Sequence, residues 1–258
     1  PSNSLQRSLR WFKLFLVLGG TFFLVLLVVP WCGALTRRRL KARVARAILG
    51  ALGIELDAEL SHAVPGALIV ANHISWIDIF VINAALPAAF VSKEEVRHWP
   101  LIGWLAARND TVFLRRGSRG HARIINQEIG AILEQGNYVA VFPEGTTTDG
   151  THLLHFHAAL IQPALAAGRP VLPVAISYWQ ADGRRSLAPA YVGEVSLGQC
   201  LQAIIGCSGL VARVRSCPPL GLAGEERREV AAAARAAICT GAALPPPAAA
   251  DAPGAAPG

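Results

Sequence analysis

Ala67-Leu68-Ile69-Val70-Ala71-Asn72-His73-Ile74-Ser75-Trp76-Ile77-Asp78 is the stretch on which the reading of this chain turns. The five apolar residues fit a buried strand. The run stops at the polar pair Asn72-His73, and Asp78 follows five residues after the histidine. A histidine at the end of a buried strand, with a carboxylate close behind, has the makings of a general base. The same residues have a plainer reading. Ser75-x-x-Asp78 fits a helix capping box, and His73 could be an ordinary polar residue in a strand-to-helix turn. The two readings are compatible, because a capped helix is a rigid mount for a carboxylate. On an ideal helix five residues turn through about 500°, so His73 and Asp78 would not share a face. The spacing therefore predicts His73 in the turn before the helix, bent back toward Asp78.

The apolar pattern recurs along the chain. Further strand candidates are Ala88–Ser92, Thr111–Leu114, Tyr138–Phe142, Val171–Ile176, Ala190–Val192 and Leu210–Val214. Helical patterns fall at Trp76–Ala85, Ile102–Arg108, Ala122–Glu134, Ala158–Ala167 and Glu225–Ile238. Near-continuous apolar strands separated by helices predict an α/β fold, with a largely parallel sheet of roughly seven strands covered on both faces. There is no internal repeat.

The first 52 residues are different in kind. Leu14 to Leu35 is apolar over 22 residues apart from Gly, Thr and one Pro, long enough to cross a bilayer core. It is too long for a standard secretory signal and lacks a clear cleavage site. Trp11 and Trp31 sit near its ends, as interfacial anchors do. Gly19-Gly20 and Pro30 leave room for a bend, so a membrane helix and a half-inserted helical hairpin are both open. Arg37 to Leu52 reads as a basic amphipathic helix. Lys41, Arg43 and Arg46 would meet headgroups, with Leu40, Val44, Ala47 and Ile48 on the apolar side.

The charge distribution supports that division. Residues 1–46 carry nine basic side chains and no acid, leaving 15 of the 24 basic residues against all 17 acids, a balance of about −2. The basic excess flanks an apolar segment, and the remaining domain is nearly neutral. This argues against a nucleic-acid protein and for an anionic membrane surface. The cations after the apolar segment outnumber those before it, which places the main domain in the cytoplasm. Five cysteines, an odd number with no C-x-x-C, fit a reducing compartment better than a disulfide framework. The expected organisation is residues 1–52 as membrane anchor, 53–240 as the α/β domain and 241–258 as a disordered Ala/Pro-rich tail. With Pro1 first and no Met, the natural start is expected to be missing or processed.

In parallel α/β sheets, ligands bind beyond the carboxyl ends of the strands. Each of the first four strands here ends in a polar cluster: Asn72-His73, then Lys93-Glu94-Glu95, then Arg115-Arg116-Gly117, then Pro143-Glu144-Gly145-Thr146-Thr147. In a parallel sheet these converge on one crevice. His73 can take a proton from a hydroxyl, and Asp78 can fix its tautomer. Arg115, Arg116 and Lys93 can hold a phosphate. Gly145 permits close backbone approach, and Glu144 and Thr146 can orient a polar headgroup. There is no G-x-S-x-G and no cysteine at a strand end. That favours direct attack by a substrate hydroxyl over a covalent enzyme intermediate. His152-x-x-His155-x-His157 could hold a metal, but no accompanying carboxylate or cysteine pattern points to one; a polar loop near the site is the simpler reading.

Four blocks now stand in order: Asn72-His73-x4-Asp78, Phe113-Leu114-Arg115-Arg116, Phe142-Pro143-Glu144-Gly145-Thr146 and Val171-Leu172-Pro173-Val174. Their order and approximate spacing resemble the glycerophospholipid acyltransferases, in particular the bacterial PlsC-type 1-acyl-glycerol-3-phosphate acyltransferases. Lys93-x-Glu95-x4-Pro100-x2-Gly103 resembles the segment between that family's first two blocks. The resemblance covers roughly residues 37–215. It implies an O-acyltransferase in which His73 is the general base on the free glycerol hydroxyl and Asp78 is its partner. It implies that Arg116 contacts the acceptor phosphate, that Glu144, Gly145 and Thr146 bind the acceptor, and that Pro173 helps to shape the acyl site, with Phe142 and Pro143 in the third block. The donor would be acyl-CoA or acyl-carrier protein, with no metal and no cofactor. The expected location is the bacterial inner membrane.

Two positions depart from the pattern. The family commonly has Arg where this chain has Thr147, and Arg115 stands where many members have an acid or a neutral residue. Some relatives acylate lyso-ornithine lipid, and Phe142–Gly150 with Leu153–His157 is somewhat similar to that branch. A lyso-ornithine-lipid O-acyltransferase is therefore the alternative within the class. A membrane-tethered lipid hydrolase and a non-catalytic lipid-binding module are the alternatives outside it.

Overall fold

The computed structural model describes residues 2–94, 111–114, 119–221 and 225–245. Seven strands form one sheet: β1 Ile54–Glu59, β2 Leu68–Ala71, β3 Ala88–Lys93, β4 Val112–Leu114, β5 Tyr138–Val141, β6 Val171–Trp179 and β7 Leu210–Ser216, in the order β1-β7-β6-β2-β5-β3-β4. Every pairing is parallel except β6 with β7. The α/β class and the largely parallel sheet agree with the sequence pattern. β2 is buried at all four positions because both of its faces are covered.

Among the described residues the helices are α1 Ser4–Leu27, α2 Ala34–Leu52, α3 Asp78–Ala85, α4 Arg119–Glu134, α5 Gln162–Ala166, α6 Leu197–Gly206 and α7 Arg227–Gly241, with 3₁₀ turns at Val29–Trp31 and Ala158–Leu160. One core cluster joins α2 and α3 to the sheet through Ile48, Leu49, Ile69, Ile82, Leu172 and Ala212. The second lies on the other face and joins α4 and α7 through Ile129, Leu133, Val139, Val171, Ala234 and Ile238.

Several boundaries differ from the sequence reading. The segment at Ala190–Val192 is no strand; it is a strap whose Tyr191 N–H bonds Ile74 C=O at 3.0 Å. The seventh strand is Ile54–Glu59, whose charged alternate residues Asp57 and Glu59 pair with Arg213 and Arg215 on β7. The helix at Leu197–Gly206 was missed, although Ser196 and Gln199 form a full capping box there. The pattern at Ala158–Ala167 breaks into a 3₁₀ turn and a short helix at Pro163. The helical pattern at Ile102–Arg108 lies outside the described residues.

The apolar run Leu14–Leu35 is not one helix. α1 starts ten residues earlier, at an Asn3–Gln6 capping box, and Pro30 ends the run in a 3₁₀ turn. Among the described residues it is the helix long and apolar enough to cross a membrane. Its start is tied to the body: Ser2 Oγ donates to Ile205 C=O at 2.9 Å, and the Arg10 guanidinium donates to the carbonyls of Ile205 and Cys207 at the end of α6. The chain runs out along α1, turns at Val29–Trp31 and returns along α2, which makes a helical hairpin. Leu5, Phe12, Phe15, Phe23, Leu27 and Trp31 are exposed on it. α2 does not present all its cations outward, as the amphipathic reading expected. Lys41 Nζ donates to Ala88 C=O at 3.2 Å and Arg46 Nε to Ala84 C=O at 3.0 Å, because these carbonyls at the end of α3 and the start of β3 need donors.

At the sheet edge, the Arg215 guanidinium beside Asp57 holds that carboxyl below its ordinary value. A depressed carboxyl contributes stability above its unfolded value near 3.8, and that contribution is lost as pH falls through the folded value. Both side chains are partly exposed, so the effect is under about 1 kcal/mol. Thermal melts of wild type and Asp57→Asn should differ slightly at neutral pH and converge in acid. A difference that persists below pH ~3 would sink this account.

Candidate active site

β2, β5, β3 and β4 are parallel neighbours, so their carboxyl ends share one edge of the sheet. Asn72-His73, Phe142–Thr147 and Lys93 follow or end these strands. Arg115 and Arg116 lie just past β4, outside the described residues. Lys93 closes β3.

Asn72 is fully buried, and its amide is used as a substitute peptide. Oδ1 accepts from Ile176 N–H at 2.7 Å, and Nδ2 donates to Ile176 C=O at 3.0 Å. β2 ends at Ala71 while β6 continues, so the Asn72 side chain occupies the ladder position that the strand vacates. This is packing and register, and it fixes where His73 begins.

His73 sits in the turn before α3. Its Nδ1 lies 2.9 Å from Asp78 Oδ2. The same oxygen accepts from Ile74 N–H at 2.7 Å and Ser75 N–H at 2.9 Å, and Oδ1 accepts from the Tyr178 hydroxyl at 2.6 Å. Four donors thus converge on a carboxylate with no exposed surface. An acceptor on that side makes His73 Nδ1 the protonated nitrogen, which leaves Nε2 with its lone pair. The imidazole stacks on Phe142 with centroids 3.9 Å apart and planes at 11°, and keeps 20% of its side-chain surface exposed. It is held on two sides and open on the third.

The capping box is half formed. Asp78 bonds back to Ser75 N–H, but Asp78 N–H donates to the Ser75 carbonyl, not to its hydroxyl. α3 starts at Asp78, and Ser75 Oγ lies 3.8 Å from Cys200 Sγ. Ser75 is therefore no cap; the side-chain half of the box is given up so that the carboxylate can collect donors from the turn.

Glu144 is 4% exposed, and both its oxygens accept from backbone. Oε1 takes His73 N–H at 2.9 Å, and Oε2 takes Leu154 N–H at 2.9 Å. Burial pushes its carboxyl above the ordinary value, and the two N–H groups pull it part of the way back. Its carboxylate is thus engaged with the turn that carries His73. The peptide it grips is clamped from the far side as well: Arg235 on α7 donates to the carbonyls of Leu153 and Leu154 at 2.8 and 2.9 Å.

Gly145 adopts φ +71°, the left-handed region open to glycine. The His157 ring lies against it, and His157 N–H donates to Pro143 C=O at 2.9 Å. Gly145 and Thr146 are exposed. Thr147 turns its hydroxyl to the Tyr191 carbonyl, and Thr148 N–H bonds His73 C=O at 2.9 Å. Gly150, at φ +80°, lies so close to Ile74 that a Cβ would come within 2.8 Å of Cδ1. Of the three histidines, His152 Nδ1 is 3.4 Å from Asp149 Oδ1, and the His155 and His157 rings meet edge-on at 6.0 Å. Pro173 is buried within β6, paired with Val70 one residue before β2 ends at Ala71.

Tyr178 escaped the sequence reading. That reading ended the strand at Ile176, whereas β6 runs to Trp179. A phenol two residues beyond the expected strand end is a usable signal, but nothing in the sequence says which carboxylate it meets.

Comparisons with known proteins bear on the family. The acyltransferase family model matches residues 56–177. Over 181 residues the chain is 38% identical to the 1-acyl-sn-glycerol-3-phosphate acyltransferase of Neisseria meningitidis serogroup B, covering 69% of this chain and 71% of the relative. Over 162 residues it is 43% identical to the lyso-ornithine lipid O-acyltransferase of Pseudomonas aeruginosa, covering 63% and 62%. The crystal structure of the 1-acyl-sn-glycerophosphate acyltransferase PlsC from Thermotoga maritima shares the fold, with a TM-score of 0.66 at 23% identity over 93% of this chain and 95% of that one. On a relative at this identity, matched over 71% of its own length, and on the family model that spans the turn bearing His73, the chain belongs to the acyltransferase family.

Proposed function

We propose that the protein transfers a fatty acyl group from an acyl thioester, acyl-CoA or acyl-carrier protein, to the sn-2 hydroxyl of 1-acyl-glycerol-3-phosphate, giving phosphatidic acid. The observation that carries this is the His73–Asp78 pair, 2.9 Å apart, with a buried carboxylate and an imidazole 20% exposed at the polar edge of the sheet. His73 Nε2 takes the proton from the acceptor hydroxyl as its oxygen attacks the thioester carbonyl. Asp78 stabilises the imidazolium that forms. The tetrahedral intermediate collapses, the C–S bond breaks, and the thiolate takes the proton from His73. Lys93, Arg115 and Arg116 are assigned to the acceptor phosphate, and Gly145 and Thr146 to the headgroup. Asn72, Phe142, Pro143 and Glu144 are assigned to holding the turn, and Pro173 to the acyl side.

The N-terminal hairpin is assigned to the membrane, with the sheet domain on the cytoplasmic face. Its exposed Phe, Leu and Trp side chains and the lipid-acylating relatives support membrane association. Residues 1–52 serve as the anchor and 53–240 as the catalytic domain, although α2 shares the core of that domain.

A second acceptor is favoured by one observation. Thr147 stands where a cation would meet a phosphate, and its hydroxyl is spent on the Tyr191 carbonyl. That suits lyso-ornithine lipid, the acceptor named for the Pseudomonas aeruginosa relative. The deciding experiment offers lysophosphatidate and lyso-ornithine lipid together with acyl-CoA and reads the products by mass spectrometry. Phosphatidic acid is the expected product. Acylated ornithine lipid alone would transfer the assignment to the second acceptor, and free fatty acid without either would make the protein a hydrolase.

A further inference from the structure

Tyr178 sits on β6, 1% exposed, and donates its hydroxyl to Asp78 Oδ1 at 2.6 Å. It takes no part in the two blocks that carry His73 and Glu144. Burial and the adjacent Asp78 charge push its phenol well above the ordinary value, so it stays a donor. Asp78 has two oxygens with different duties. Oδ2 holds the turn and His73, and Oδ1 accepts from the Tyr178 hydroxyl.

We propose that Tyr178 is a positioning residue for the reaction: its phenol holds Asp78 against His73 and takes up part of the carboxylate's charge. This rests on the reading of His73 as the base. A strong donor on Oδ1 draws negative charge away from Oδ2, so the carboxylate stabilises the imidazolium less than a bare one would. It also stops the carboxylate from rotating away from Nδ1. Other groups face the pair among the described residues. Glu144, after β5, accepts from His73 N–H and lies near His152. Cys200, on α6, is buried beside Ser75 and near Asp78. His157 lies against Gly145. None of these donates to Asp78 Oδ1, so removing the phenol leaves that oxygen without its partner.

The test uses the full chain in detergent in three forms: wild type, Tyr178→Phe, and protein with 3-fluorotyrosine at all three tyrosines. Modification of His73 by diethyl pyrocarbonate, followed across pH by peptide mass spectrometry, reads its proton uptake without any turnover. Tyr178→Phe should move the His73 midpoint to higher pH. The more acidic fluorophenol, a stronger donor, should move it to lower pH. In the acyl-transfer assay, Tyr178→Phe should lower kcat about tenfold with KM for both substrates within about twofold. A merely structural tyrosine would not produce opposite shifts. Midpoints that coincide with wild type, or that move in the same direction, overturn the proposal. If Tyr178→Phe does not fold, the fluorotyrosine protein decides alone: a shift to lower pH supports the proposal and no shift overturns it. A wild type that transfers no acyl group refutes the assigned function, yet the two midpoints still decide whether Tyr178 tunes the pair.

Discussion

His73→Ala is expected to lower acyl transfer by about a thousandfold or more, while the protein folds and stays with the membrane. Among the described residues, the imidazole supplies the one unburied basic nitrogen beside the carboxylate, and no cysteine or serine nucleophile stands ready to replace it. The fold should tolerate the change. The ring packs on Phe142 but keeps a fifth of its surface exposed, and the backbone bonds of residue 73 to Glu144 and Thr148 do not depend on the side chain. Asp78→Ala should be as inactive and also less stable, because it strands three buried donors, Ile74 N–H, Ser75 N–H and the Tyr178 hydroxyl. Turnover of His73→Ala within tenfold of wild type, in protein of unchanged melting temperature, would remove the base from the mechanism.

The second large effect falls on Glu144→Gln. Glutamine keeps the shape and one acceptor, but its amide nitrogen must face one of two N–H donors. One of the pair then becomes a buried, unsatisfied group, at a cost of about 1–3 kcal/mol. Whichever side gives way, His73 or the loop at Leu154 shifts. The expected outcome is a kcat lowered at least tenfold with little change in acceptor KM. A headgroup ligand behaves the other way, with KM rising and kcat nearly intact. Measuring both constants thus separates the positioning role from the acceptor-binding role that family resemblance implies. A rise confined to KM would restore the latter.

Much of this is legible in the sequence alone. The strand Ala67–Ala71, the turn that follows it and the Phe142–Thr146 run could be read because each is local: five apolar residues, a polar stop, a glycine. The parallel order then made the clusters converge. What escaped was set by long-range partners. Glu144 reads as an exposed ligand in sequence, since nothing local shows that residues 73 and 154 supply its donors. Ile54–Glu59 looks too charged for a strand until Arg213 and Arg215 stand beside it. Ala190–Val192 looks apolar enough for a strand, but its neighbour in space is the loop at Ile74. Ser75 and Asp78 matched a capping pattern whose carboxylate had a second use.

The single antiparallel pairing bears on direction of approach. β6 follows β2 only as far as Ala71 and Val174, then runs five residues further, supported on its other side by β7. Beyond the last β2 pairing it stands as a parapet about 16 Å long. Ile176 and Tyr178, on this extension, reach across to Asn72 and Asp78. An open parallel sheet would leave its crevice accessible from both flanks. Here one flank is walled, so a molecule that reaches His73 arrives from the side of β5, β3 and β4.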